Sequence, residues 1–163
     1  MKNTWITSDW HLGENRFDLM FRPFKSTDEH NFTILNNHNK LVSQDDTVYL
    51  VGDAAAQVKT STHGGIIPGM IAARELSIAI TEDKDYEKLW KKKIGKDLMI
   101  HLAIRKVMDN FKGKDCDKLV RLMKQEKVKT LVEEFDREFP SKYALKMVLR
   151  EPRFLKFAIK YFT

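Results

Sequence analysis

The chain has 163 residues, 42% of them apolar and 32% charged, with a net charge of +6. That describes a globular protein of ordinary domain size with enough apolar side chains for a core, and it excludes a disordered or fibrous chain. No apolar run reaches the roughly 18 residues that a membrane-spanning helix needs, so no membrane partner is expected. Cys116 is the single cysteine, which rules out an internal disulfide, and Met1-Lys2-Asn3-Thr4 lacks the apolar stretch of a secretory signal; both point to the cytoplasm.

Charge is spread unevenly. Residues 1–57 carry 5 Lys/Arg and 8 Asp/Glu, and residues 58–163 carry 24 and 15, so an acidic segment precedes a basic one. An acidic pocket suits divalent cations, and a basic surface suits phosphate-rich or acidic partners.

Taken in order, Thr4-Trp5-Ile6-Thr7 reads as a short strand that delivers Ser8-Asp9-Trp10-His11-Leu12-Gly13 into a turn. Glu14 to Phe24 reads as a short helix or ordered loop stopped by Pro23. Within it, Arg16 and Arg22 are candidates for binding a substrate phosphate through their guanidinium forks, and the alternative is a surface ion pair with Asp18 or Glu14. Asp28 to Leu41 reads as a helix, capped by Thr27 or Asp28, with Phe32, Leu35 and Leu41 on its apolar side; His38 and Asn39 support the site or sit on a solvated helix end. A second strand, Thr47-Val48-Tyr49-Leu50-Val51, runs straight into Gly52-Asp53. Strand, helix and strand make a β-α-β crossover, which sets the strands parallel and puts Asp9, His11 and Asp53 at strand ends on one edge, where open α/β sheets bind ligands.

Three blocks, Ser8-Asp9-Trp10-His11-Leu12-Gly13-Glu14-Asn15, then Arg22-Pro23-Phe24, then Asp45-Asp46-Thr47-Val48-Tyr49-Leu50-Val51-Gly52-Asp53, resemble the opening third of calcineurin-like metallophosphoesterases, most of all the small bacterial and phage-borne members. In that family the D-x-H pair binds one metal and the Asp of G-D bridges it to a second, so the resemblance implies those roles for Asp9, His11 and Asp53. It covers about residues 4–53 only. The family's later motifs, G-N-H-[DE], a lone His and G-H-x-H, do not occur, and the histidines left after Asp53 are His63 and His101. The implied cofactor is a divalent metal (Mn, Fe, Zn or Mg), at one site rather than two, with no catalytic residue assigned.

Residues 58–68 read as a linker: Lys59-Thr60-Ser61-Thr62-His63-Gly64-Gly65 is small, polar and glycine-bearing. His63, beside two glycines that let the backbone approach a ligand, is the candidate replacement ligand, with an exposed linker histidine as the alternative. From Gly69 the period is helical. One helix ends near Glu82-Asp83-Lys84-Asp85; a second runs from Asp85 to Phe111, bent or split at Gly95 and closed by Gly113; a third is capped by Asp115 or Asp117. A fourth spans Val128 to Phe139, a fifth starts at Ser141 and a sixth covers Phe154 to Phe162. The expected architecture is therefore a truncated, metallophosphoesterase-like β-α-β segment over 1–57, a linker over 58–68 and a basic all-α helical bundle over 69–163 packed on the first segment, mostly helical in total.

Lys146, Arg150, Arg153, Lys156 and Lys160, interleaved with Tyr143, Phe154, Phe157 and Tyr161, suit a nucleic acid or a protein partner, although core aromatics and a solvated charged face account for the same pattern. Three readings follow: a metal-dependent hydrolase of phosphodiesters or nucleotides, acting on a phosphorylated small molecule or nucleic acid; a degenerate phage-type inhibitor whose basic half binds a host protein or nucleic acid in the host cytoplasm; and a nucleotide or metal binder without turnover. The sequence sets no oligomeric state.

Overall fold

The structure, a computed structural model, describes residues 2–16 and 22–162, with backbone alone at 158 and 160–162. It falls into two compact units, Met1–Gln57 and Val58–Thr163.

The first unit contains β1 (Thr4–Thr7), α1 (Thr27–Leu41) and β2 (Thr47–Leu50), followed by a 3₁₀ turn over Gly52–Ala55. The strands pair in parallel, with Thr4 opposite Thr47 and Thr7 opposite Leu50, as the β-α-β pattern requires. Two strands are too few to hold themselves together by ladder bonds. Asp46, just ahead of β2, supplies what the ladder lacks: its carboxylate accepts from the Asn3 N–H at 2.7 Å, the Trp5 indole N–H at 2.9 Å and the Ser43 N–H at 3.0 Å. Those donors, the Ser43 and Asn3 amides foremost, hold its pKa far below the usual carboxylate range.

α1 begins at Ser26, whose hydroxyl accepts from the Glu29 N–H, while the Glu29 carboxylate returns to the Lys25 N–H. The cap is thus one residue earlier than Thr27 or Asp28. The apolar side expected of this helix is not its buried side: Phe32, Leu35 and Leu41 are exposed, and the residue with no accessible surface is His30. Polar bonds select the buried face here, because Arg22 and Asn31 give the imidazole partners on both nitrogens. Of the helix or loop expected over 14–24, residues 17–21 lie outside the described residues, and 14–16 and 22–24 are not helical.

The second unit is helical among its described residues: α2 (Ile66–Thr81), α3 (Tyr86–Trp90), a π-helical turn (Lys91–Gly95), α4 (Lys96–Asp109), α5 (Gly113–Met123), α6 (Glu126–Glu133), a 3₁₀ turn (Pro140–Lys142), α7 (Ala144–Arg150) and α8 (Arg153–Phe162). α2 starts three residues before the expected Gly69, because Pro68 fits the first turn, where its missing N–H is not needed. α3, the π turn and α4 form one continuous rod. Gly95 marks where the wide turn ends and does not break it, and the turn buries Ile94 while leaving Lys91, Lys92 and Lys93 outside. Gly113 opens α5 instead of closing the helix before it, since α4 has already ended at Asn110. Glu133 closes α6 six residues before Phe139; Phe135 instead leaves the helix to stack on Tyr143, ring centroids 4.6 Å apart.

The core consists of Ala72, Leu76 and Ala79 of α2, Ile94, Val107, Leu122, and Val128 and Leu131 of α6. α2 packs on α3, α4 on α8 and on the 3₁₀ turn at Pro140, and α5 on α6. No helix among the described residues is long and apolar enough to cross a membrane. Val128 has no accessible surface, so Val128→Ala removes two packed methyls and is expected to lower stability by about 2 kcal/mol. A urea titration checks this, and an unchanged midpoint would mean that α6 does not belong to the core.

Candidate functional site

In the first unit, the turn after β1 is held in an unusual backbone conformation. Asp9 and His11 have φ of 57° and 53°, and Gly13 has 85°. Left-handed backbone at two non-glycine residues costs energy, although Asp and His tolerate it better than most. A run of hydrogen bonds maintains it. Arg22 donates to the Asp9 carbonyl at 3.4 Å and to His30 Nε2 at 2.8 Å; His30 Nδ1 lies 3.3 Å from Asn31 Oδ1, which also accepts from the Gly13 N–H at 3.0 Å. Because a guanidinium only donates, His30 carries its proton on Nδ1. Arg22 is therefore committed to the turn, and Arg16 is exposed with its N–H bonded to the Glu14 carboxylate.

His11 Nε2 meets Asp9 Oδ1 at 2.5 Å, and its Nδ1 stands 4.0 Å from Glu14 Oε2. Backbone N–H groups of Arg16 and Asn15 hold the pKa of the Glu14 carboxyl below its ordinary range. Asp53 opens the 3₁₀ turn, exposed, and its carbonyl accepts from Ala56. Among the described residues no three His, Cys, Asp or Glu side chains converge as a metal cage. His63, exposed at a φ of 55°, belongs to the second unit. His38 tilts against Trp10, ring centroids 5.0 Å apart.

The second unit holds a more deeply buried polar cluster, which the sequence reading passed over. Residues 59–64 close on themselves, the Lys59 N–H donating to the Gly64 carbonyl at 3.1 Å. The Lys59 side chain runs across Gly64 to an ion pair with Glu138, and a Cβ at Gly64 would stand 2.6 Å from its Cε. Glycine at 64 is thus what lets the ammonium reach its partner. Ser61 Oγ meets His101 Nδ1 at 2.7 Å, and one turn earlier on α4 Asp97 accepts from the Ser141 N–H at 2.7 Å. His101 is 6% exposed; its Nε2 and the Thr60 hydroxyl are buried without a hydrogen-bond partner. Burial, with the Lys59 charge behind it, pushes the His101 imidazole below its usual range against the opposing pull of Asp97, Glu138 and the Arg137 backbone. The signal available in sequence was the i, i+4 spacing of Asp97 and His101 on an otherwise apolar-sided helix.

Of the basic residues expected to face a partner, Arg150 pairs with Glu134 at 2.7 Å, Arg153 with Glu151 at 2.5 Å, and Lys146 sits 5.5 Å from the Phe135 ring centre. Lys156 lines an open cleft. The Lys160 side chain lies outside the described residues.

Comparison with known proteins redirects the functional reading. No family model matches the chain, and no solved structure matches it. Curated relatives do. Digeranylgeranylglycerophospholipid reductase 2 of Methanopyrus kandleri is 32% identical over 124 residues, which cover 69% of this chain and 31% of that protein. The protein of the same name from Methanothermobacter thermautotrophicus is 37% identical over 87 residues, 47% of this chain and 23% of its own length. Gene 66 protein of Mycobacterium phage L5 is 36% identical over 56 residues, 34% of this chain and 27% of its own. The chain spans about a third of the length of the first of these reductases.

A stretch taking up 69% of a 163-residue chain includes residues 52–112 wherever it begins. That span holds the 59–64 turn, α2, α3 and nearly all of α4 with Asp97 and His101. The resemblance to metallophosphoesterases, confined to about residues 4–53, is overturned by these relatives. They name a lipid reductase, so neither the hydrolase reading nor that of a phage-type inhibitor stands, and Asp9, His11 and Asp53 are left without the role that the resemblance implied.

Two outcomes test the buried cluster. A folded-state imidazole held below about 6.5 stays neutral where the unfolded chain takes up a proton. Stability is therefore expected to be full above about pH 6.5 and to decline as pH falls below it, and His101→Asn is expected to remove that part of the decline. Urea midpoints at two pH values check it, and an equal decline in the variant contradicts it. Asp97→Ala strands the Ser141 N–H beneath the surface and is expected to cost about 1–3 kcal/mol in the same titration.

Proposed function

We propose that this chain is a portion of a reductase of isoprenoid lipids related to the digeranylgeranylglycerophospholipid reductases, and that the turn over 59–65 with the start of α2 helps to hold its redox cofactor. The observation that carries this reading is the similarity to reductase-named relatives at 32–37% identity, whose longest stretch necessarily includes that turn.

A polypeptide has no side chain able to deliver a hydride, so a reductase depends on a bound cofactor of the flavin or nicotinamide kind to carry the electrons. The second unit fits part of such a group. α2 is a 16-residue helix that begins at Gly65 with no side chain capping it and no acid in its first turn. Its first N–H groups and the positive end of its dipole suit an anionic or carbonyl oxygen. Gly64 and Gly65 keep side chains away from that end, and the buried Thr60 hydroxyl in the same turn has no partner of its own. Behind the turn, Ser61 to His101 and Lys59 to Glu138 fix its shape, which is what a cofactor contact made by backbone needs.

Dinucleotide titration tests the reading. Flavin and nicotinamide dinucleotides are each added to the folded chain, with flavin fluorescence or nicotinamide emission followed. Binding of one of them in the micromolar range is expected. Gly64→Val drives a branched side chain into the Lys59 stem and is expected to weaken binding at least tenfold. No binding of either at millimolar concentration overturns the reading.

A further inference from the structure

We infer that the cleft between α5 and α8 is a binding site for a phosphate ester that carries an apolar tail. The cleft encloses about 420 Å³, within the range of about 300–1,000 Å³ usual for small-ligand sites. Its cations come from two helices far apart in sequence: Lys118 and Arg121 from α5, Arg153 and Lys156 from α8. Its apolar lining is Leu122, buried, and Phe157, whose ring continues into Phe111 at 5.5 Å between centroids.

The charge is not cancelled within the cleft. Asp115 is the acid that lines it, and that carboxylate is buried and turned to the Lys112 N–H at the start of α5. Among the described residues no hydrogen bond or ion pair joins Lys118, Arg121 or Lys156 to an acid. Arg153 differs: it is clamped to the Glu151 carboxylate at 2.5 and 2.6 Å and reaches the Gln125 amide oxygen at 2.9 Å. Arg153 therefore fixes the wall, and the other three supply positive charge for an incoming anion.

Cations over an apolar floor select for an amphiphile. A bare phosphate would satisfy the rim and leave Leu122 and Phe157 wet; a hydrocarbon would do the reverse. A phosphate bearing an acyl or isoprenoid chain satisfies both, with Arg121 offering the fork that matches two phosphate oxygens. The choice of a phospholipid as that amphiphile rests on the reductase reading above; the cleft's preference for an anion with an apolar tail does not.

Calorimetry on the full chain, with four probes, tests the inference: inorganic phosphate, glycerol 3-phosphate, monomeric dihexanoyl phosphatidylglycerol below its micelle concentration, and a single-stranded oligonucleotide. The short-chain lipid is expected to bind at least tenfold more tightly than glycerol 3-phosphate. Arg121→Gln with Lys118→Gln, both at exposed positions that leave the fold intact, is expected to weaken it at least tenfold. Phe157→Ala is expected to narrow the gap between the lipid and glycerol 3-phosphate. The inference is overturned if the lipid binds no better than inorganic phosphate, or if the oligonucleotide binds more tightly and displaces the lipid. Dinucleotide binding measured on the same samples separates the two readings: lipid binding alone keeps the cleft and removes the reductase, and dinucleotide binding alone does the opposite.

Discussion

The second unit depends on two polar side chains one turn apart on α4. Asp97 holds the Ser141 N–H and His101 holds the Ser61 hydroxyl, so a single helix face fixes both the turn that precedes α2 and the turn that precedes α7. Each of those turns closes on its own backbone, the Lys59 N–H on the Gly64 carbonyl and the Lys142 N–H on the Phe139 carbonyl, and the α4 side chains anchor each to the helix. Placing a carboxylate and an imidazole at i and i+4 gives one acceptor to each turn at the spacing of the helix itself. Lys59 and Glu138 then join the same two turns directly. Asp97 and His101 Nδ1 thus gain partners that position the turns, whereas His101 Nε2 and the Thr60 hydroxyl stay buried without a hydrogen bond.

The first unit solves a related problem with fewer residues. Its sheet has two strands and its helix leaves Phe32, Leu35 and Leu41 exposed, so apolar burial contributes little to its order. Asp46 replaces the missing strands by gathering the backbone of Asn3 and Ser43 and the Trp5 indole onto one carboxylate. Arg22, His30 and Asn31 do the same for the turn that carries Asp9 and His11. A resemblance in motif order does not by itself carry chemistry: Asp9 and His11 meet each other, Glu14 stands 4.0 Å from the far ring nitrogen, and among the described residues no three such side chains converge to hold a metal.

Much of the architecture was legible in the chain because it rests on local rules. The two strands, the helix between them, the helical run after residue 68 and the divide between an acidic and a basic segment all follow from apolar spacing, turn residues and charge. Boundaries failed where a tertiary bond outweighed a local preference. Gly113 looks like a helix end but starts α5, because α4 had already closed at Asn110. Phe139 looks like the last residue of an amphipathic helix, yet the stacking of Phe135 on Tyr143 ends that helix early. The buried cluster was illegible for a different reason. Ser61, His101 and the Glu138–Ser141 stretch are separated by dozens of positions, and nothing in their local spacing reveals that they meet. The functional reading failed because the motif blocks lie in the first third of the chain, whereas the similarity to reductases must include the span that follows them.

The basic half shows how composition and geometry part ways. Twenty-four cations in residues 58–163 suggest a surface made for polyanions. Yet Arg150, Arg153, Lys59, Lys91 and Arg105 are each spent on a carboxylate nearby, and Lys146 and Lys142 lie over aromatic rings. The exposed pairs among these, such as Lys91–Glu87 and Arg105–Asp109, contribute little stability individually, but all of them remove charge from the field that a long polyanion would sense. Within the second unit, α5 and α8 also bring Lys118, Arg121 and Lys156 around an apolar floor. A nucleic acid needs a track of cations extending along its backbone; a single phosphate with a greasy substituent needs only one such recess. The fold turns a diffusely basic sequence into a site of small-molecule dimensions, and this narrowing, more than the count of lysines, indicates what kind of anion the second unit is shaped to take.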